Sequence, residues 1–131
     1  MTKTILTTAG FSGVVAVLLF TLERIVFFSP VINYFNFDTA ITLHFVHTLV
    51  LMMFTFKHRY IRESKLKILY FAFVTGIVLA CGPLYIMHYV DPNGSIKDLL
   101  INISFIGSGF LIGGWIMVTY IGFSYVLKIR K

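Results

Sequence analysis

Few side chains in this 131-residue chain can carry chemistry: four histidines, one cysteine and five carboxylates. His44 and His47 stand three positions apart, a spacing that puts both on one face of a helix. Joined by Glu23 or His88, they have the donor types of a metal site. Either histidine opposite His88 has the donor type for haem ligation from facing helices. A His–Glu cluster can also relay protons or hold a small ligand such as a quinone headgroup. The plain alternative is that these groups only pair with one another and hold helices together. Glu23 with His44 or His47 is the expected pair, and Arg24 is expected to extend outward along its stem. Tyr85, Asn102 and Ser104 complete the candidate cluster. No metal or cofactor is expected; haem and a metal remain as options for the two histidines.

The elements that must position these residues follow from hydropathy. Hydrophobic residues make up 58% of the chain and charged residues only 12%, and the mean hydropathy is +0.90. A small soluble fold hides only about two thirds of its chain surface, so most of this chain requires lipid as solvent. Spanning takes about 20 mostly apolar residues. Four stretches meet that length: about 5–28, 39–56, 66–89 and 96–127. The expected fold is all-α, a single domain over 1–131, with four transmembrane helices packed as a bundle. The last stretch exceeds a straight span and is expected to tilt or project. The opening run outlasts a leader h-region and no Ala-x-Ala-like site follows it, so it is expected to remain as the first span.

Local signals set the boundaries. Ser29-Pro30 stops the first helix. Asp38 is an N-cap candidate for the second, and Ser64 can cap the third. Asp91-Pro92-Asn93-Gly94 reads as a tight turn, and Ser95 with Asp98 resembles a capping box. Pro83 falls inside the third helix and predicts a kink. Val31 to Phe37 is apolar but short, which suits an interfacial segment.

Charge supplies orientation. Nine of the eleven Lys and Arg residues fall on the side shared by the N-terminus, the second gap and the C-terminus. They are Lys3, then Lys57, Arg59, Arg62, Lys65 and Lys67, then Lys128, Arg130 and Lys131. Positive residues mark the cytoplasmic side, so both termini are expected there, in a bacterial inner membrane. The basic gap can also attract anionic headgroups. With this orientation, the polar residues of all four helices gather in the outer half of the bundle. Cys81 reads as an inert packing thiol and Trp115 as a packing residue. Tyr60, Tyr120 and Tyr125 suit the cytoplasmic interface.

Small residues recur at helical spacing: Ala9 with Gly13, Ser12 with Ala16, then Ala72, Gly76 and Ala80, then Ser104 with Ser108, and Gly109 with Gly113. Such faces let helices approach in lipid, inside the bundle or at a seam with another chain.

Three stretches resemble a known family. Gly76-Ile77-Val78-Leu79-Ala80-Cys81-Gly82-Pro83-Leu84-Tyr85 is similar to the "GILLFSGSLY" segment of small bacterial membrane proteins in domain-of-unknown-function family 423, relatives of the eukaryotic transmembrane protein 256. Ser104-Phe105-Ile106-Gly107-Ser108-Gly109-Phe110-Leu111-Ile112-Gly113-Gly114-Trp115 looks like its "TPxGGxxFxxGW" segment. Phe37-Asp38-Thr39-Ala40-Ile41 followed by His47 is similar to its "F-x-T-A-V" and later His. The chain departs from the pattern at Phe20-Thr21-Leu22-Glu23-Arg24, where the family has a "GAFGAH" end. It departs again at Ser104-Phe105 for Thr-Pro and at Pro83 for Ser. The resemblance implies four spans and no known reaction.

Two function classes follow. The first is a non-enzymatic accessory or scaffold subunit, because no nucleotide motif and no convincing catalytic set is present. Its partners would be the bilayer and either other membrane subunits or further copies of itself. The alternative is a binder of a small ligand, proton, quinone, metal or haem through the polar cluster. Hydropathy excludes a soluble nucleic-acid binder.

Overall fold

A computed structural model describes the backbone of residues 2–26, 34–57, 61–87 and 95–129, and the side chains of residues 3–22, 37–56, 61–87 and 96–124. Four helices follow in order: α1 (Thr2–Val26), α2 (Tyr34–Lys57), α3 (Glu63–Met87) and α4 (Ser95–Ile129). All four are long and apolar enough to cross a membrane, which points to a multi-pass membrane protein. The β-branched runs in α1 are poor helix formers in water. In hydrocarbon the backbone has no other partner than itself, and helix is the available answer. Hydroxyls on the helix surfaces are satisfied the same way: Thr7, Thr21, Ser108 and Thr119 each donate to the carbonyl four residues back.

α3 and α4 share the most extensive interface, with α1 against α2 and α2 against α3. The core joins Ile5 and Ala9 of α1, Ala40 and Leu51 of α2, Leu69, Phe73, Ile77, Ala80 and Cys81 of α3, and Leu111 of α4. Large apolar residues also cover the outside: Phe11, Phe56, Phe71, Phe105 and Phe123 are all more than 60% exposed. Soluble monomers rarely carry apolar patches on that scale; here His44 and His47 are buried while these five phenylalanines are outside.

The α3–α4 joint forms where α3 is weakest. Pro83 lies inside α3 and has no N–H to give the carbonyl of Leu79. One residue on, the Ala80 carbonyl accepts a hydrogen bond from the Ser104 hydroxyl of α4 at 2.9 Å. Immediately below, Gly107 brings the α4 backbone against Leu79 and Ala80 so closely that an added Cβ would overlap their backbone. Gly76 makes the reciprocal approach to Leu111, and a Cβ on Gly114 would meet the Phe73 ring at 3.1 Å. Among the described residues of α4, Leu100, Gly107, Leu111 and Gly114 are the buried ones, at the a/d spacing of a coiled-coil seam.

Two capping expectations are corrected, and the small-residue faces are sorted. Asp38 does not cap α2; the aromatic stretch before it continues the helix back to Tyr34, and Asp38 is an exposed residue of its first turns. Part of the segment assigned to the interface, Tyr34 to Phe37, is therefore helical, while residues 31–33 lie outside those described. Ser64 does not cap α3, because the helix starts at Glu63 and the Arg62 carbonyl accepts the first helical bond, from Leu66 N–H at 3.0 Å. Gly109 and Gly113 do not pack within the chain: both are exposed, with nothing near the position of an added Cβ. At about 100° per residue, Gly109 lies about 200° around α4 from Gly107, and Gly113 about 100° from Gly114. Ala9, Gly76 and Ala80 are buried, and Gly13 sits beside Thr48. Ser29-Pro30 and the turn at 91–94 lie outside the described residues.

Gly107→Ala should destabilise the fold by about 1–3 kcal/mol, the usual cost of overpacking, whereas Gly109→Ala should leave it unchanged or firmer. Thermal unfolding in detergent measures both. Equal midpoints for the two variants would contradict this placement of α4.

Candidate functional site

His44 is 6% exposed and uses both ring nitrogens. Its Nδ1 lies 3.0 Å from the Tyr85 hydroxyl on α3, and its Nε2 lies 2.8 Å from Ser12 Oγ on α1. Ser12 Oγ in turn lies 2.7 Å from Thr48 Oγ1, one turn below His44. Tyr85–His44–Ser12–Thr48 is thus a continuous hydrogen-bonded chain across three helices. The Tyr85 ring is held edge-on against Phe37, with centroids 5.2 Å apart. Lower on the same side of the bundle, the hydroxyls of Thr8 on α1 and Tyr70 on α3 meet at 2.9 Å.

His47 faces another neighbour. Three residues along a helix turn the side chain about 60°, enough to move it from the α1–α3 side toward α4. Its Nε2 receives a hydrogen bond from the Trp115 indole N–H at 3.2 Å. Its Nδ1 lies 2.6 Å from the Leu43 carbonyl. An indole nitrogen only donates and a carbonyl only accepts, so these partners define one neutral tautomer, with the proton on Nδ1. Phe73 packs beside both rings, 5.7 Å from His47 and 6.0 Å from Trp115.

The cluster read from the sequence is therefore divided. The structure joins His44 to Tyr85, while His47 and Ser104 serve separate bonds. Asn102 is exposed on α4 and does not join the cluster. The Glu23 and Arg24 side chains and all of His88 lie outside the described residues, and with them the expected Glu23 pair. Among the described residues no three His, Cys, Asp or Glu side chains come together. A metal or haem at His44 or His47 would have to displace one of the hydrogen bonds above. His44 and His47 are the eighth and eleventh of the twenty residues Phe37–Phe56, and Ser12 is the tenth of the twenty residues Lys3–Leu22. The network thus lies near mid-length of α1 and α2, and Tyr85 reaches it from near the end of α3.

Sequence reasoning missed Ser12, Thr48 and Trp115 as bonding partners. Ser12 stood out only as a small residue, and Trp115 only as a packing group. One signal was present: Ser12 and Trp115 both fall inside apolar spans, where an N–H or O–H has no water to bond.

At the basic end, Lys65 lies over the Tyr120 ring at 4.6 Å, tying the start of α3 to α4. Lys67 pairs with Glu63 at 3.5 Å across one exposed turn, a contact of little energetic weight. Arg62 is exposed; the side chains of Lys57 and Arg59 lie outside those described.

Two of the clefts among the described residues bear on the site and the bundle surface. One of about 340 Å³ lies between α1 and α3 with α2 as its floor, and Ser12, His44, Cys81 and Tyr85 reach its lining. The other, about 670 Å³, runs along the outside of α3 and α4 over Ala72, Gly109 and Gly113.

Fold and site together define a four-helix all-α protein with membrane-spanning length in each helix and an inward-turned polar network. Residues 32–107 match the family described as "Protein of unknown function (DUF423)". That match covers more than half of the chain, and the chain belongs to this family. The resemblance to this family is borne out over the second and third helices and the start of the fourth; α1, which supplies Ser12, and residues 108–131 lie outside the matched region. No curated protein and no solved structure matches the chain.

Imidazole ¹⁵N spectra should show His47 with a protonated Nδ1 and a bare, hydrogen-bonded Nε2. Trp115→Phe should move the Nε2 resonance and leave that of His44 in place. A proton on Nε2 of His47 would refute the indole bond.

Proposed function

We propose that this chain is a non-enzymatic accessory or scaffold subunit of a larger assembly in the bacterial inner membrane. The observation that carries this reading is the exposed Gly109–Gly113 floor on the outer α3–α4 face. Phe71 and Phe110 rim the groove, and Ala72 extends its floor. In lipid, close backbone approach over small residues is a main source of helix association, and nothing among the described residues fills the groove. The internal polar groups support the same reading, because they are occupied in holding helices together.

The proposed orientation places both termini and the 57–67 segment in the cytoplasm, on the strength of the basic residues gathered there. A second reading, binding of a small lipid-soluble ligand, is favoured by the α1–α3 cleft.

Gentle extraction of the tagged protein from its native membrane should yield a stoichiometric membrane partner, or a defined multimer of this chain. Gly109→Leu with Gly113→Leu should abolish that association while keeping the wild-type unfolding midpoint. A lone monomer from the native membrane would overturn the subunit reading. For orientation, an impermeant thiol reagent applied from outside should label Asn93→Cys and spare Arg62→Cys; labelling of Arg62→Cys would reverse the topology.

A further inference from the structure

The Tyr85–His44–Ser12–Thr48 chain contains three hydrogen bonds. With a neutral imidazole, its members carry one mobile proton each, one more than the bonds consume. Two kinds of unbroken arrangement exist. In the first, Tyr85 donates to Nδ1 and Nε2–H donates to Ser12; the Ser12–Thr48 bond can then run either way, because a hydroxyl oxygen accepts two bonds, and the spare proton sits on Thr48 or Ser12. In the second, Thr48 donates to Ser12, Ser12 donates to Nε2, Nδ1–H donates to Tyr85, and the Tyr85 proton is left over. Among the described residues neither end hydroxyl has a second hydrogen-bond partner. The two ends differ in access. Thr48 is 5% exposed and closed in, whereas Tyr85 is half-buried and lines the cleft between α1 and α3.

We propose that this cleft binds an uncharged, lipid-soluble carbonyl compound of the quinone class, with the Tyr85 hydroxyl donating to its carbonyl. An acceptor is required because the surplus group is a donor. The compound is uncharged because no charged side chain lines the cleft. It is mostly hydrocarbon because the lining is almost wholly apolar, with Phe11, Val15 and Val78 among its walls. At about 340 Å³ the cleft falls within the range of small-molecule sites. Binding selects the second arrangement, so the ligand sets the tautomer of His44 although it does not touch that ring.

The test uses the full chain in lipid nanodiscs with ¹⁵N-labelled histidine, titrated with decyl-benzoquinone and, separately, with decylbenzene. The quinone should bind saturably and place the His44 proton on Nδ1, whereas decylbenzene should bind more weakly and leave the tautomer unchanged. Tyr85→Phe keeps the ring against Phe37 and should weaken the quinone about tenfold, the worth of one hydrogen bond. Equal affinity for the two probes, an unmoved His44 tautomer on saturation, or no saturable quinone binding would each overturn the proposal.

Discussion

In hydrocarbon a polar side chain has no water to fall back on, and one left without a partner is expensive. α2 carries three such groups within five residues, His44, His47 and Thr48, all nearly buried. Their partners come from every other helix: Ser12 from α1, Tyr85 from α3 and Trp115 from α4. This one stretch of α2 therefore constrains the rotation of the whole bundle. Turning any helix away would strand a donor or an acceptor. Apolar packing alone gives no comparable directionality, because lipid tails are as good a neighbour for leucine as another helix is.

The second constraint belongs to α3 and α4. A proline within a spanning helix frees a carbonyl, and tolerating it depends on a neighbour close enough to help. Gly107 allows that closeness and Ser104 uses it, through its bond to the Ala80 carbonyl. Proline, serine and glycine thus form one device distributed over two helices. Its position fixes which glycines of α4 are inside, and so leaves Gly109 and Gly113 facing out.

Span number and charge asymmetry were legible in the sequence because each is a property of local composition. His44, Tyr85 and Ser104 were legible as polar groups in apolar surroundings. Their partners were not. Which residue His44 meets depends on helix rotation and neighbour order, and neither leaves a mark on hydropathy. The glycines show the same limit. A four-residue spacing drew attention to Gly109 and Gly113, while the seam actually follows the heptad-like spacing of Gly107, Leu111 and Gly114. Both patterns were present; only packing against Pro83-bearing α3 decides between them. Asp38 had the right type for a cap, but Tyr34 to Phe37 are themselves able to continue a spanning helix.

The account depends most on the polar face of α2 acting as a real energetic link between helices. A double-mutant cycle on Ser12→Ala and His44→Ala, measured by reversible unfolding in mixed micelles, tests that link directly. The account predicts a favourable coupling of about 0.6 kcal/mol, and up to about 1.7 kcal/mol, the range found for hydrogen bonds between membrane helices. Strict additivity of the two substitutions would mean that the helices are not joined there.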